Sequence, residues 1–423
     1  MKVAVISKTD RIGGGASRVA EDLATWLNEA GHPTDHFIAI PSHQFVSASN
    51  SKPLSFQKSL YGEGISLNLC RKIHALTRRC GFRELLPAEY FINLRHVIDQ
   101  YDVIHFHDLY YSIAPLTLGL VSTHKPTFFT VHDCSAFTGG CLYPMECQKF
   151  IHSCHKCPQL LQNTWNDKLR DQSRLIQSIN RLLAKKSKVQ YIFPSHWIAQ
   201  QASLSVDFNL TPKLIPNGLD LQPFATLSKC EAKAKLCISS NQKVVVISAH
   251  SLKDFRKGVH HAISALNSVR DLHPLILTVG LNSQDIRENL QDLETKDIGF
   301  ITNQYQLAEV YSASDILLFC SLADNLPLTV LEAMASSTVV VGFATGGVPE
   351  MIRSGETGFL VEPSNQNALN KVLRQALQTD NIEAMGQQAR RDIENKFSKA
   401  LCLERHLKLY QQAILNRKPV SIK

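Results

Sequence analysis

The stretch Cys320–Glu350, CSLADNLPLTVLEAMASSTVVVGFATGGVPE, contains the strand–helix–strand pattern that decides the fold of the second half of the chain. The apolar run that ends at Ser321 predicts a buried parallel strand, and Pro327 stands where a proline is tolerated, at the start of a helix. "TVVVGFA" (338–344) predicts a second strand. In open parallel sheets, ligands bind at the carboxyl ends of the strands, so the loops at that edge hold the candidate binding residues.

Four residues of this stretch are candidates for binding. Asp324 lies in the first loop, Glu332 lies early on the helix, and Gly346 and Gly347 follow the second strand. Carboxylates there can accept hydrogen bonds from sugar or ribose hydroxyls, and a glycine turn lets backbone amides approach a phosphate. A lone glutamate on a helix is usually solvated and a Gly-Gly pair is usually only a turn, so the spacing of the whole set carries the prediction.

Composition predicts a globular protein of two domains. The chain has 423 residues, of which 44% are hydrophobic and 19% are charged. No apolar run approaches the roughly 20 residues that span a bilayer, and "MKVAVISKTD" predicts a first strand and not a signal peptide. We therefore expect a cytoplasmic protein. The net charge of +8 has no accompanying nucleic-acid-binding motif, so nucleic acid is not an expected partner.

Part of the positive charge is concentrated between Cys70 and Leu85. Basic residues interleave there with Leu, Ile and Phe: Arg71, Lys72, Arg78, Arg79 and Arg83. Such a helix can lie on an anionic membrane surface. It can equally be an ordinary amphipathic helix that packs on its own domain, and the sequence leaves both alternatives open.

Strands and helices alternate in two series. The first series has the strand-like runs KVAVIS, DHFIAI, DVIHFH, TFFTVH and VQYIFPS, with a long polar loop predicted over residues 41–65. The second has KVVVISAH, LILTVG, DIGFI, ILLFCS and TVVVGFA. A segment rich in Pro, Asn and Gly, DFNLTPKLIPNGLDLQPFATLSKCEAK, separates them, and residues 381–416 are helical by period. Two tandem α/β units of this kind imply a cleft between them.

The ordered motifs of the chain resemble those of family 4 retaining glycosyltransferases. They are PSHWIAQQ, LIPNGLD, RKGVHHAISAL, YSASDILLFCSLADNLP, VLEAMA, TGGVPEMI and GETGFLVEP. "HFHD" and "TVHDCSAFTGGC" are similar to the branch that builds exopolysaccharide repeat units, the colanic-acid type. The resemblance implies an α/β protein of the GT-B fold, with two Rossmann-like domains facing each other across a cleft. It places an acceptor-side domain at 1–212 with a Cys-rich loop at 134–158, a donor domain at 213–398, and a C-terminal helix at 399–423 that returns to the first domain.

The resemblance also implies roles for individual residues on the donor side. Transfer from a nucleotide sugar releases a diphosphate, which needs either a metal held by carboxylates or fixed cations and amides. The sequence has no Asp-x-Asp, and Arg256 and Lys257 match residues that contact the diphosphate. Glu332 would bind the ribose hydroxyls, and Asp324, where the family has a glutamate, would lie by the transferred sugar. The chain departs from the family at "SAHS", where His250 replaces a Gly-Arg pair.

On the acceptor side, the glycine loop and two histidines are the candidates. By resemblance, Gly14 and Gly15 lie against the donor phosphates or the acceptor, and His132 points at the donor sugar. A neutral imidazole there could hydrogen-bond a sugar hydroxyl or support an oxocarbenium-like transition state. His107 and Asp108 are weaker acceptor-side candidates.

Five of the 11 cysteines fall between Cys134 and Cys157. The C-x2-C spacing at the end of this segment, with further cysteines before it, favours a tetrahedral structural zinc site of Cys141, Cys147, Cys154 and Cys157. His152 and His155 are alternative ligands. A set of free thiols or a disulfide is the competing interpretation.

The sequence therefore predicts a retaining hexosyltransferase that needs no cofactor for catalysis. The expected donor is a UDP- or GDP-linked sugar, and the expected acceptor is a glycan, in particular a lipid-linked exopolysaccharide intermediate at the inner membrane face, with peripheral membrane contact. Two alternatives share the fold: a non-catalytic homologue that binds a nucleotide sugar, and a nucleotide-sugar epimerase. A phosphorylase would need a cofactor lysine context that the sequence does not show.

Overall fold

The structure is a computed structural model that describes residues 1–41, 54–79, 85–110, 112–161, 171–208, 210–225, 227–290 and 292–417. The chain divides into two compact units. The first consists of Met1–Pro216 together with Leu403–Lys423, and the second of Asn217–Cys402.

The first unit is built on a seven-stranded parallel sheet in the order β3-β2-β1-β4-β5-β6-β7. Every residue of the interior strand β1 is buried, as expected where helices cover both faces of a parallel sheet. The strands are β1 (Val3–Ser7), β2 (Thr34–Ile38), β3 (Gln57–Ser59), β4 (Val103–Phe106), β5 (Thr127–Thr130), β6 (Gln190–Phe193) and β7 (Lys213–Leu214). The helices are Gly15–Glu29, Ile65–Arg79, Arg95–Val97, Pro115–His124, Pro158–Leu161, Ser173–Lys186 and His196–Leu204, with a π-helical turn at Tyr90–Leu94.

The second unit is built on a six-stranded parallel sheet in the order β10-β9-β8-β11-β12-β13. Its strands are β8 (Val244–Ser251), β9 (Leu275–Leu281), β10 (Thr295–Gly299), β11 (Ile316–Phe319), β12 (Val339–Phe343) and β13 (Gly358–Val361). Its helices are Lys229–Lys235, Val259–Asn267, Gln304–Ala313, Leu328–Ala335, Val348–Met351, Gln366–Gln378 and Ile382–Lys396. The last helix of the chain, Lys399–Leu415, begins in this unit and continues into the first.

Alternate residues of the central strands fill two cores, one on each face of the second sheet. Leu317 of β11 and Val340 of β12 belong to one buried cluster, and their neighbours Ile316 and Val339 belong to the other. This two-sided burial explains why both strands are continuous apolar runs in the sequence and show no alternation.

The predicted α/β class and the two series of parallel strands are confirmed. The prediction of a loop throughout residues 41–65 is wrong in part, because β3 (Gln57–Ser59) pairs with β2 and the helix Ile65–Arg79 begins at the end of this range. Residues 42–53 of that range lie outside the described residues. The segment 381–416, predicted to be helical, forms the two helices Ile382–Lys396 and Lys399–Leu415, and the backbone between them, at Phe397 and Ser398, pairs with Leu219. Among the described residues, none of the helices combines the length and the apolar character that crossing a membrane requires.

Candidate active site

Asp324 is the centre of a charged cluster at the carboxyl end of β11 in the second unit. Its Oδ2 atom lies 2.6 Å from Nζ of Lys257 and 3.5 Å from Nη1 of Arg256. The hydroxyl of Ser321 donates to the same oxygen at 3.2 Å. The predicted donor-side residues Asp324, Arg256 and Lys257 are therefore brought together in one place.

The electrostatics of this cluster keep Asp324 charged. Burial by itself would raise the pKa of the Asp324 carboxyl, but the charges of Lys257 and Arg256 and the hydrogen bonds from Lys257 and Ser321 outweigh it, so the pKa lies below its ordinary value. A carboxylate in this position can orient the lysine and can accept hydrogen bonds from a hydroxylated ligand.

Arg256 is fixed by several contacts. Nη1 donates to the carbonyl of Ala323 at 2.6 Å, and Nη2 contacts the Asp254 carboxylate at 3.1 Å. Its own carbonyl accepts from the amide of Leu322 at 2.7 Å. The loop that carries Arg256 and Lys257 is thus attached to the loop that carries Asp324, and the cations are preorganised before any ligand binds.

Two glycines permit this close packing. Gly258 has φ +63°, and a Cβ there would lie 2.0 Å from the carbonyl oxygen of Cys320. Gly346 has φ +59°, and a Cβ there would lie 1.6 Å from the carbonyl oxygen of Asp324. Larger residues at either position would push the loops apart.

The glycine turn differs in one respect from the prediction that its amides approach a phosphate. The amide of Gly347 donates to the carbonyl of Asn325 at 2.8 Å. This amide therefore holds the turn against the Asp324 loop, and its role in the structure is to shape the site.

Glu332 lies on the helix Leu328–Ala335, one turn from its start, and its side chain is only 1% exposed. A buried carboxylate is unlike the solvated glutamate that a helix usually carries. His250, at the end of β8, replaces the Gly-Arg pair of the resemblance, and its pKa is lowered by partial burial and by the positive charge of Lys257. His250 is therefore near the cationic cluster but adds no positive charge to it at neutral pH.

In the first unit, the ends of β4 and β5 bring His107 and His132 together. The two strands are parallel neighbours, with Phe106 opposite Phe129, so the residues that follow them lie at one edge of the sheet. Nδ1 of His107 and Nε2 of His132 are 3.0 Å apart and share a hydrogen bond. Asp108 accepts from the amide of Tyr110 at 3.1 Å, and burial raises the pKa of its carboxyl.

Both histidines are neutral at physiological pH. Burial, with a contribution from His406, lowers the pKa of His132 to about 3, and burial among other histidines lowers the pKa of His107 well below its ordinary value. A neutral His132 can donate or accept one hydrogen bond at each ring nitrogen but cannot supply a positive charge.

A third histidine, His105, lies on β4 two residues before His107 and packs against its ring. Its Nδ1 shares a 2.5 Å hydrogen bond with the hydroxyl of Tyr410, and its Nε2 shares one of 2.8 Å with Thr130. Its ring lies 4.3 Å from that of His107. Our sequence reasoning did not select His105 or Tyr410, although the i, i+2 spacing in "HFH" places two histidines on one face of a strand.

The glycine loop follows β1 at the same edge of the first sheet. Gly14 caps the helix Gly15–Glu29 and has φ +132°. No atom lies within 4 Å of a Cβ added at Gly14 or Gly15, so both positions face open space. The loop leaves the helix N-terminus accessible, as the prediction for an anionic ligand requires.

The cysteine-rich segment is held firmly but does not form a recognisable metal site. Among the described residues, no three His, Cys, Asp or Glu side chains are arranged to hold a metal ion. The Cys154 thiol accepts from the amide of Gly139 at 3.2 Å. Burial raises the pKa of the Cys141 thiol to about 12, and the nearby thiols of Cys157, Cys154 and Cys147 contribute to that rise. The four predicted ligands are thus neighbours, and zinc binding by them stays a prediction.

Both halves of the chain match the profiles of known protein families. Residues 13–223 match the profile of Glycosyltransferase Family 4, and residues 229–393 match that of Glycosyl transferases group 1. Sucrose-phosphate synthase from Thermosynechococcus elongatus has the same fold, with a TM-score of 0.73 at 19% identity over 98% of this chain and 100% of that one. The Anabaena HepE protein, solved in complex with UDP-glucose, aligns with a TM-score of 0.60 at 16% identity over 97% of this chain and 100% of its own.

The fold is therefore that of the GT-B glycosyltransferases, as predicted. With its two halves matching the two profiles, the chain belongs to the glycosyltransferases of Family 4 with a group 1 second domain. Among characterised relatives, it is 24% identical over 231 residues to the N-acetyl-alpha-D-glucosaminyl L-malate synthase of Bacillus anthracis. That alignment covers 53% of this chain and 60% of the relative's length.

Proposed function

We propose that this protein transfers a sugar from a nucleoside-diphosphate sugar to a glycan acceptor, with retention of the anomeric configuration. The observation that carries the proposal is the contact of Lys257 and Arg256 with Asp324 at the carboxyl end of β11. Two fixed cations next to a carboxylate suit a ligand that has both a diphosphate and hydroxyl groups. The membership of both halves in glycosyltransferase families supports the same reaction.

In this mechanism the second unit stabilises the leaving group. Negative charge develops on the diphosphate as the bond to the anomeric carbon breaks, and Lys257 and Arg256 are the charges that would compensate it. Asp324 holds Lys257 in place and is the acceptor for a hydroxyl of the transferred sugar. The buried Glu332 would bind the ribose hydroxyls, as the family resemblance implies.

In the first unit, His132 would act as a neutral hydrogen-bonding group. Its low pKa means that it orients a sugar hydroxyl and does not pair electrostatically with the diphosphate. The amides at the start of the helix Gly15–Glu29 would favour an anionic group. We propose a lipid-linked exopolysaccharide intermediate at the inner membrane face as the acceptor, on the basis of the colanic-acid-like motifs around His107 and His132.

A donor screen followed by a transfer assay tests the proposal. Thermal shift of the full chain against UDP-, GDP- and ADP-sugars is expected to show stabilisation by one donor class, because a ligand that binds only the folded state raises its stability. UDP-glucose is the first candidate, since the HepE protein of the same fold is solved with it. The product of the transfer assay is then analysed for anomeric configuration.

The variant His132→Ala separates transfer from donor binding. We expect it to abolish transfer and to keep the thermal shift with the donor, because the residue lies in the first unit and the cationic cluster in the second. Unchanged turnover in this variant would remove the role assigned to His132. Absence of a thermal shift with every donor in the wild-type protein would favour a non-catalytic homologue, and release of UDP without an acceptor would favour an epimerase.

A further inference from the structure

The helix Ile65–Arg79 has an unusual distribution of side chains. Ile65, Leu69 and Leu76 recur at helical spacing and are 86%, 46% and 63% exposed. The opposite side of the helix, which packs on the domain, carries Cys70, His74 and Thr77. Large aliphatic side chains therefore point to solvent, where an ordinary amphipathic helix would have polar ones.

The same exposed face is strongly basic. Lys72 and Arg79 are exposed and fall within the sector of the three aliphatic residues, so we define the outward face as Ile65, Leu69, Lys72, Leu76 and Arg79. The helix also carries Arg71 and Arg78 and has no Asp or Glu. Its charge is thus positive throughout.

The helix is firmly attached to the rest of the first unit. Nε2 of His74 lies 3.0 Å from Oε2 of the buried Glu89, and the His74 ring packs at 5.4 Å from that of Tyr61. The π-helical turn Tyr90–Leu94, which packs against the helix, exposes a further large apolar side chain, Phe91. A stable helix thus presents apolar and basic groups together.

We propose that the outward face of the helix Ile65–Arg79 docks on the surface of a membrane that contains anionic lipids, without crossing it. Apolar side chains can enter the boundary between headgroups and acyl chains while Lys72 and Arg79 pair with anionic headgroups. This surface gives the peripheral contact of the proposed function a location. Binding to a membrane requires neither donor nor acceptor, so it can succeed or fail independently of sugar transfer.

Charge and apolar exposure together distinguish an anionic lipid surface from two other partners, a second copy of the chain and a nucleic acid. A second copy of the chain that docked through the same face would bring Lys72 and Arg79 of one copy close to those of the other, and like charges repel. A nucleic acid would match the charge but would gain nothing from exposed Ile65, Leu69 and Leu76. An anionic lipid surface is the partner that uses both properties.

Co-sedimentation of the full chain with vesicles tests the proposal. We expect binding to phosphatidylcholine vesicles that contain phosphatidylglycerol, at least about tenfold weaker binding to phosphatidylcholine alone, and weakening by salt because the attraction is partly electrostatic. Equal binding to both vesicle types, or no binding to either, would overturn it. So would a dimer in solution that the Leu69→Glu, Leu76→Glu double variant dissociates.

The residue assignment is tested with matched double variants. Leu69→Glu with Leu76→Glu is expected to weaken vesicle binding about tenfold or more, and Lys72→Gln with Arg79→Gln is expected to remove the dependence on anionic lipid. The control is Leu175→Glu with Leu182→Glu, which makes the same change at exposed leucines of the helix Ser173–Lys186, also basic and also in the first unit. An equal loss of vesicle binding in the control would show that the first unit is attracted to the membrane without a specific contact surface. That result would contradict the assignment to the outward face of the helix Ile65–Arg79. Circular dichroism melts and the donor-induced thermal shift establish that each variant is folded.

Discussion

Lys257 and Asp324 connect two loops of the second unit through a contact of 2.6 Å between Nζ and Oδ2. The residues are far apart in sequence, and each loop lies at the carboxyl end of a parallel strand. The contact leaves the lysine next to a carboxylate whose charge it stabilises, so a diphosphate that binds there must compete for the lysine. This balance of charge is the feature on which donor binding should depend most.

The variant Lys257→Met tests that balance. We expect the donor dissociation constant to rise at least about tenfold, or about 1.4 kcal/mol, because one of the two cations is lost. The pKa of Asp324 should rise as well, since burial then acts against less compensating charge, and the acidic limb of the activity profile should move to higher pH. Isothermal titration and a pH–rate profile measure both effects.

The matched control for that variant is Lys253→Met. Lys253 pairs with Asp285 at 2.9 Å in an exposed position, so its removal deletes a lysine ion pair away from Asp324. Donor affinity is expected to stay within twofold. An equal loss of affinity in both variants would attribute the effect to net charge and contradict the specific role of Lys257.

Gly346→Ala tests the close approach of the glycine turn to the Asp324 loop. Gly355 also has a left-handed φ of +88°, but no atom lies within 4 Å of a Cβ built there, so Gly355→Ala measures the conformational cost alone. We expect Gly355→Ala to cost about 1–2 kcal/mol of unfolding free energy. Gly346→Ala should cost roughly 1–3 kcal/mol more because the loop must move, and should also weaken donor binding. Equal values from urea denaturation would show that the contact is unimportant.

The free energy of unfolding should decrease as the pH is lowered, because buried neutral histidines resist protonation. His36 is one such residue. Its ring is fully buried, Nε2 contacts Ser7 Oγ at 2.8 Å, and burial lowers its pKa from 6.5 to about 4. Between those two values the unfolded chain binds a proton that the folded chain does not. The unfolding free energy contributed by His36 is therefore intact above pH 6.5 and is lost as the pH falls, at up to about 1.4 kcal/mol per pH unit.

The measurement is urea denaturation at several pH values between 7 and 4.5. His36→Gln should have a shallower dependence on pH than the wild-type protein. The exposed His96 provides the control, and His96→Gln is expected to keep the wild-type slope. Identical slopes for all three proteins would refute the assignment.

Zinc in the cysteine-rich segment is tested by elemental analysis. If Cys141, Cys147, Cys154 and Cys157 bind zinc, the purified protein contains one ion per chain, and Cys154→Ser loses it together with part of the thermal stability. Cys230→Ser, at an exposed cysteine of the second unit, should keep both. Metal-free protein with wild-type stability after chelation would establish the free-thiol alternative.

Much of the fold could be predicted because buried parallel strands have a simple signature. "ILLFCS" and "TVVVGFA" predicted β11 and β12 to within two residues, and Pro327 marked the helix between them. The strands that were missed, β3, β7 and β13, are short and lie at or beside sheet edges. Their residues are only partly buried in β3 and β7, so no apolar run marks them.

The candidate site was less predictable, since pattern and spacing do not determine side-chain partners. The sequence indicated that Lys257 and Asp324 belong to donor-side loops, but not that they form an ion pair. It did not indicate that the Gly347 amide bonds to Asn325, because such a contact depends on how two loops fold against each other. His105 and Tyr410 are 305 residues apart in the chain, and their hydrogen bond follows from tertiary structure alone.

The path of the final helix sets the order in which the protein can be completed during synthesis. His406 and Tyr410 belong to the first unit, yet the ribosome makes them after the whole of the second. Until they emerge, the imidazole of His105 lacks the hydroxyl with which it shares a hydrogen bond in the finished protein. The first unit can therefore close its core only after His406 and Tyr410 have been made, and a fragment that ends at Pro216 would lack part of its own interior.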